Sequence, residues 1–409
     1  MTAFPPDFLW GASTSPHQIE GNNVNSDWWA REGLVPGMEV SGDADDSYHR
    51  FREDMQLLAD AGLTSYRFGI EWARIEPRQG QFSKAELAHY RRMIDTALEL
   101  GLTPIITLHH FTNPRWFAEE GGWLSPHATE RFTAYVTAVT EILQDVEWVV
   151  TINEPNMMAM MVMLQEAMRS GQVAEWQSPT VEGAASDRER IAANLPVPTA
   201  DFAQPFIEAH HAARDILRRR TSAKVGWSIA NGALYSAAEH EQKLIEVRYL
   251  WEDLYLHAAV EDDFIGVQSY SAQEVNAEGL VPHPDHPENT MTGAAYRPDA
   301  LGSAVRHATA VTGLPALITE NGIPTGDDAR RIRYTAEALS YVADAIDEGV
   351  AVRGYLHWSL LDNYEWGHWA PTFGLIAVDR ETFVRTPKPS LSWLGQVARS
   401  QGASLGARE

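Results

Sequence analysis

Apolar residues along this chain fall into two recurring patterns. Short, β-branched runs read as buried strands, and longer stretches repeat apolar positions at helical spacing. FLWGAST (8–14) is followed by a predicted helix near 46–61, where Tyr48, Phe51, Met55 and Leu58 share a face. SYRFGIEW (65–72) precedes a helix near 84–100, with Leu87, Tyr90, Ile94 and Leu98 on one side. TPIITLHH (103–110) precedes a helix near 126–143. VEWVVTINE (146–154) precedes a Met-rich helix and then a long polar stretch. KVGWSIA (224–230) precedes a helix near 240–258, and DFIGVQSY (263–270) a Gly- and Pro-rich loop and a helix near 298–312. PALITEN (315–321) leads to a helix near 327–348, and VRGYLHWSL (352–360) to a final helix near 388–399.

Eight apolar strands with crossover helices imply a parallel sheet closed into a (β/α)8 TIM barrel, an α/β fold, as a single catalytic domain over residues 1–409. Barrels of this kind carry their chemistry on the loops after the strands. The fourth and seventh strands end in TINEP (151–155) and ITENG (318–322), each setting a Glu beside an Asn. Barrel closure puts Glu154 and Glu320 on one rim. Two carboxyl groups and an amide suit sugar-bond cleavage, in which one carboxyl donates a proton, the other attacks carbon, and the amide holds a hydroxyl. The segment 171–200, rich in Gly, Ser, Pro and charge, is the candidate mobile loop bordering the site.

Composition narrows the classes. The net charge of −24 argues against nucleic-acid or anionic-membrane partners, although its plainest reading is a solvated surface. There is no cysteine, hence no disulfide, thiolate metal site or cysteine nucleophile. No charged, apolar leader opens the chain, and no uncharged apolar run reaches the ~18 residues of a membrane span. These features point to a soluble, cytoplasmic protein and leave its oligomeric state open. No GxGxxG or phosphate-binding loop is present, so no nucleotide cofactor is expected.

Other strand ends add Arg67, His109, His110, Tyr270 and Trp358, with Asp362, Glu365, Trp366 and Trp369 in the last loop and His17, Gln18 and Glu20 in the first. Such a rim hydrogen-bonds hydroxyls and stacks on a pyranose face. Each residue also has a plainer reading. Arg67 reads equally as a salt-bridged core residue, and Trp358 alone as core. The His109–His110 pair lacks the further ligands a metal needs, so no metal is expected. His210 and His211 fall in a predicted helix and read as partly solvated surface. Met157, Met158, Met160, Met161, Met163 and Met168 are ordinary core at helical spacing, or in part an adaptable apolar wall at the pocket.

TINEP, ITENG and WSLLDNYEW (358–366), in this order, resemble the family-1 glycoside hydrolases, the retaining β-glucosidase family. The resemblance runs from FLWGASTSPHQIEG (8–21) to RTPKPSLSWL (385–394). It implies Glu154 as acid/base, Glu320 as nucleophile, and Asn153 as holder of the sugar 2-hydroxyl. It further implies Gln18, Glu365 and Trp366 at the outer hydroxyls, His109 at the 3-hydroxyl region, Trp358 as floor, and Arg67 and Tyr270 against the nucleophile. The chain departs from the family pattern at His110, where Trp is usual, at Gln268-Ser269, at Thr372 where Arg is expected, and in the Gly-Tyr and Pro-Gly markers missing after the acid/base strand.

The expected reaction is hydrolysis of terminal β-D-glucosides by double displacement, with galactosides and fucosides as further candidates, and with neither metal nor cofactor. Alternatives on the same fold are a 6-phospho-β-glycosidase, which the Glu365 carboxylate opposes by charge, and a transglycosidase. The alternative of another class is a non-catalytic carbohydrate-binding barrel, against which both carboxylates stand.

Overall fold

The computed structural model describes residues 4–171 and 197–405. Eight strands, β1 (Leu9–Ser13), β2 (Ser65–Gly69), β3 (Thr103–Thr107), β4 (Trp148–Asn153), β5 (Lys224–Ala230), β6 (Ile265–Gln268), β7 (Ala316–Asn321) and β8 (Val352–Trp358), pair in chain order as a closed, all-parallel barrel. β1 completes the ring against β8, with Leu9 opposite Gly354 and Ser13 opposite Trp358. The connections run through α1 (Ser47–Ala61), α2 (Lys84–Glu99), α3 (Ala128–Val139), α4 (Pro155–Arg169), α5 (Ala200–Arg220), α6 (Glu241–Arg248), α7 (Asp299–Thr312) and α8 (Asp328–Asp347), and α9 (Pro389–Arg399) closes the set. The expected (β/α)8 barrel is thus present, with each predicted strand and helix at its place to within a few residues. The candidate mobile loop falls mostly on 172–196, outside the described residues. Among the described residues, no helix is long and apolar enough to cross a membrane.

Two packed layers hold the barrel. Inside, Ile105, Trp148, Val150, Phe264, Leu317 and Leu356 fill the end near the strand N-termini. Outside, a continuous apolar layer joins strands to helices, with Ile106, Val149, Ile152, Val225 and Ile318 all fully buried. Successive side chains of a strand point to opposite faces, so these two layers are the two parities of the same strands.

The structure adds what periodicity did not disclose. α5 occupies the polar stretch after β4, and His210 on it is fully buried rather than solvated. Its Nδ1 lies 2.7 Å from Thr151 Oγ1, its Nε2 3.0 Å from Asp262, and its ring stacks on Trp227 at 4.1 Å. His211, one position on, is half-buried. Adjacent helical residues point about 100° apart, and sequence alone did not tell which faced the barrel.

β1 and β2 approach so closely that a Cβ on Gly11 would lie 2.1 Å from the Ser65 carbonyl oxygen. We expect Gly11→Ala to cost ~1–3 kcal/mol by overpacking, read as a lowered thermal midpoint. An unchanged midpoint would mean this contact is not tight.

Candidate active site

Regular alternation breaks where the site begins. In β4, Trp148 and Val150 face the barrel interior, but the register against β5 shifts between Val150 and Asn153. The shift lets Thr151 and Ile152 face outward and turns Asn153 inward. β6 and β7 show the same device: their register shifts between Val267 and Gln268, bringing Gln268 opposite Glu320 at the inner rim. Beyond β4, Glu154 adopts a left-handed backbone (φ 46°) and caps α4, with Pro155 at the first helical turn. Phe111 (φ 67°) and Trp366 (φ 46°) are likewise left-handed. Such conformations strain non-glycine residues and persist where the surroundings enforce them.

The strand ends surround a cavity of about 350 Å³, whose walls include Glu154, Glu320, Tyr270, Trp358, Glu365, Trp366 and His110. Three predicted residues stand directly behind this wall. Arg67, fully buried, donates from Nη1 to Glu320 Oε1 (2.6 Å), from Nη2 to Asn153 Oδ1 (2.5 Å) and from Nε to Thr107 Oγ1 (2.9 Å). Asn153 Oδ1 also accepts from Gln268 Nε2 (2.8 Å), leaving its amide nitrogen to donate to His110 Nε2 (3.2 Å). Gln18 donates to Glu365 Oε2 (3.0 Å) and Asn363 Oδ1 (3.1 Å), its own oxygen held by Ser15 (2.7 Å).

His109 is the correction. Its Nε2 meets Asn113 Oδ1 at 3.0 Å and its ring packs edge-on against Trp123, away from the cavity. His110 takes the cavity position instead, stacked between Trp358 (5.8 Å) and Trp366 (5.9 Å). Neighbouring residues of an extended segment point opposite ways, so an error of one position reverses the assignment. Burial holds the His110 pKa well below its usual value, so the ring is neutral. Because Nε2 accepts from Asn153, the ring proton sits on Nδ1, which has no partner among the described residues.

Other rim residues serve the frame. His17 pairs with Glu32, Glu20 with Arg74, and Asp362 with Lys388, while Trp369 donates to the Val40 carbonyl. Asn321 turns outward to the Ser269 carbonyl and Tyr355. Of the Met cluster, Met157 alone lines this cavity; Met158 and Met161 line a neighbouring one of about 540 Å³, and Met160 is core. The cavity also includes Ala230 at the end of β5, and Phe111, Thr290, Thr292, Ala294, Pro324 and Phe373, loop residues that carry no periodic signal in the sequence. Among the described residues, no three His, Cys, Asp or Glu side chains converge as a metal site would need.

The two central carboxyls differ in support. Glu320 accepts from Arg67 and from the Tyr270 hydroxyl (2.7 Å). Burial raises its pKa, and these donors oppose the rise. Glu154 is pushed well above the usual carboxylate range, first by burial and then by the charge of Glu320. Of the two, Glu154 is the more strongly raised. Burial also raises Glu365 to about 8, with the charge of Glu320 adding to the effect. This modifies the charge argument drawn from sequence: with its pKa raised to about 8, Glu365 is largely protonated at neutral pH. Lys388, the nearest lysine in sequence, is bound to Asp362 and the Gly374 carbonyl.

An acid whose folded pKa lies above its unfolded value stabilises the fold at low pH and loses that effect as pH rises. For Glu365 the window runs from its ordinary 4.5 to about 8. Raising pH from 5 to 8 is expected to cost the wild type roughly 1–2 kcal/mol more than Glu365→Gln, after discounting for partial exposure. Parallel thermal midpoints for both proteins across that range would refute it.

Comparison with known proteins agrees with this geometry. The sequence pattern of glycosyl hydrolase family 1 matches residues 1–186 and 204–403. The thermostable β-glucosidase B of Thermobispora bispora is 31% identical over 99% of this chain and 92% of its own. The bifunctional β-D-glucosidase/β-D-fucosidase of Bifidobacterium breve is 28% identical over 95% of this chain and 97% of its own. The crystal structure of β-glycosidase BGL167 superposes with a TM-score of 0.84 at 38% identity, covering 99% of both chains.

Proposed function

The chain belongs to glycosyl hydrolase family 1 and is a glycoside hydrolase of β-glucosidase type, and we propose that it cleaves terminal β-D-glucosides with retention, using Glu320 as nucleophile and Glu154 as acid/base. The observation that carries this reading is the unequal support of the two carboxyls: Glu320 accepts from Arg67 and Tyr270, and among the described residues no side chain donates to Glu154. Glu320 attacks the anomeric carbon as Glu154 gives its proton to the departing oxygen, and the bond to the aglycone breaks. Esterification removes the charge on Glu320, so Glu154 becomes more acidic and takes a proton from water as that water attacks the same carbon. The ester bond breaks and Glu320 leaves as a carboxylate. Retention requires carboxyls about 5–5.5 Å apart.

In this reading the Asn153 amide nitrogen holds the sugar 2-hydroxyl, and the His110 Nδ1–H, rather than His109, meets the neighbouring hydroxyl. Gln18, Glu365 and Trp366 grip the outer hydroxyls over the Trp358 floor. The Bifidobacterium relative's name supports testing fucosides beside glucosides and galactosides. Acceptor alcohols compete with water for the ester, so transglycosylation is a side reaction of the same site. A non-catalytic barrel is disfavoured because both carboxyls line one cavity. The barrel is read as one catalytic domain, and the cysteine-free, acidic composition supports the cytoplasm as its compartment.

Glu320→Ala is expected to abolish hydrolysis of p-nitrophenyl β-glucoside, with azide restoring part of it and giving the α-glucosyl azide. Wild-type turnover by this variant would end the assignment. Glu154→Ala should lose about 10²–10⁴-fold on alkyl glucosides, which need protonation, and far less on dinitrophenyl glucoside. Equal loss on both, or an α-anomer as first product by proton NMR, would exclude the roles given.

A further inference from the structure

Tyr270 reaches Glu320 from an irregular segment. β6 ends two residues earlier, at Gln268, yet the Tyr270 hydroxyl lies 2.7 Å from Glu320 Oε2. Backbone beyond a strand end has no ladder to fix it, so the placement of this donor needs another cause. Side chains from outside the barrel wall supply it. Asn321 Nδ2 donates to the Ser269 carbonyl (2.7 Å), and the Tyr334 hydroxyl, on α8, donates to the Tyr270 carbonyl (2.7 Å).

These two side chains form one brace. Asn321 directly follows Glu320 on β7, and its amide nitrogen also donates to the Tyr334 oxygen at 3.4 Å. The Asn321 oxygen accepts from the Tyr355 hydroxyl on β8 (3.0 Å), which sits 3.1 Å from His357 Nδ1. A carbonyl can only accept, so the Tyr334 proton is committed to Tyr270 while its oxygen receives Asn321. Asn321, Tyr334, Tyr355 and His357 are all buried, where a polar group left unpaired is costly. The Tyr334 ring packs edge-on against Tyr296 at 5.3 Å, a contact that does not need the hydroxyl.

Resting on the nucleophile assignment above, we infer that Tyr334 is a positioning residue for the reaction: from behind the cavity wall its hydroxyl fixes the Tyr270 backbone, so that the Tyr270 hydroxyl stays on Glu320. Without that hydroxyl the segment after β6 keeps its hold at Ser269 and loses the one at Tyr270. The titratable groups facing Glu320 are Arg67 from β2, Glu154 at the end of β4, Glu365 from the last loop and Tyr270; of these, Tyr270 is the one the brace holds. The Tyr270 hydrogen bond favours the charged form of Glu320. Loosening it therefore raises the pH at which Glu320 becomes a carboxylate.

The test is kcat/KM for p-nitrophenyl β-glucoside across pH in the wild type, Tyr334→Phe, Tyr270→Phe and the double variant. Tyr334→Phe removes one oxygen and keeps the ring. The expected result is a loss of about tenfold, the size of one hydrogen bond, with the acid limb of the profile displaced to higher pH, as in Tyr270→Phe. In the Tyr270→Phe background the same substitution should cost less than about twofold, because no hydroxyl is left to position. A merely structural tyrosine would lower the thermal midpoint and leave the acid limb in place. An unmoved acid limb, or an equal loss with and without the Tyr270 hydroxyl, overturns the inference, while the nucleophile assignment still stands on the azide rescue of Glu320→Ala. If Tyr334→Phe does not fold, Tyr355→Phe releases the other end of the brace and must give the same displacement; an unmoved limb there overturns the inference as well. Wild-type turnover by Glu320→Ala overturns both readings.

Discussion

A single guanidinium organises the interior of this barrel. Arg67 is buried among strands where an unpaired charge would cost several kcal/mol. It is tolerated because three nitrogens find Thr107, Glu320 and Asn153, joining β2 to β3, β4 and β7. These bonds set the azimuth of both the amide and one carboxylate at once. They also make the two Glu residues chemically unequal, since only Glu320 lies against the cation. The pKa of Glu154 is raised by burial and by the charge of Glu320, the carboxylate that Arg67 and the Tyr270 hydroxyl support.

The barrel separates regularity from function along its axis. Near the strand N-termini, strict alternation gives a dry layer built on Ile105, Val150, Phe264 and Leu317. Near the C-termini, register shifts in β4–β5 and β6–β7 and left-handed residues at Phe111, Glu154 and Trp366 re-aim side chains into the cavity. Local strain is sustainable there because the packed layer below and the helices around hold the strand ends in place.

The loops divide the cavity by chemistry. Along one side its lining includes His110, Glu365 and Trp366, which are polar or amphipathic. Elsewhere its lining mixes Met157, Ala230, Ala294, Pro324 and Phe373 with Tyr270, Thr290 and Thr292.

By itself the sequence determined the barrel, because parallel strands buried on both faces must be apolar throughout and their helices must show the 3.6-residue period. It also determined that Glu154 and Glu320 share a rim, since a closed barrel leaves every strand end at one mouth. Tertiary structure decided what depends on a single residue's direction. A shifted register turns Asn153 inward, parity chooses His110 over His109, and packing buries His210 on a helix whose sequence read as partly solvated there. It alone decided the raised pKa values of Glu154 and of Glu365, the latter about 8, because both arise from burial and from charges far apart in sequence. Periodicity averages over many residues and survives local irregularity; a site is made of the irregularities, and these are settled only when distant segments meet.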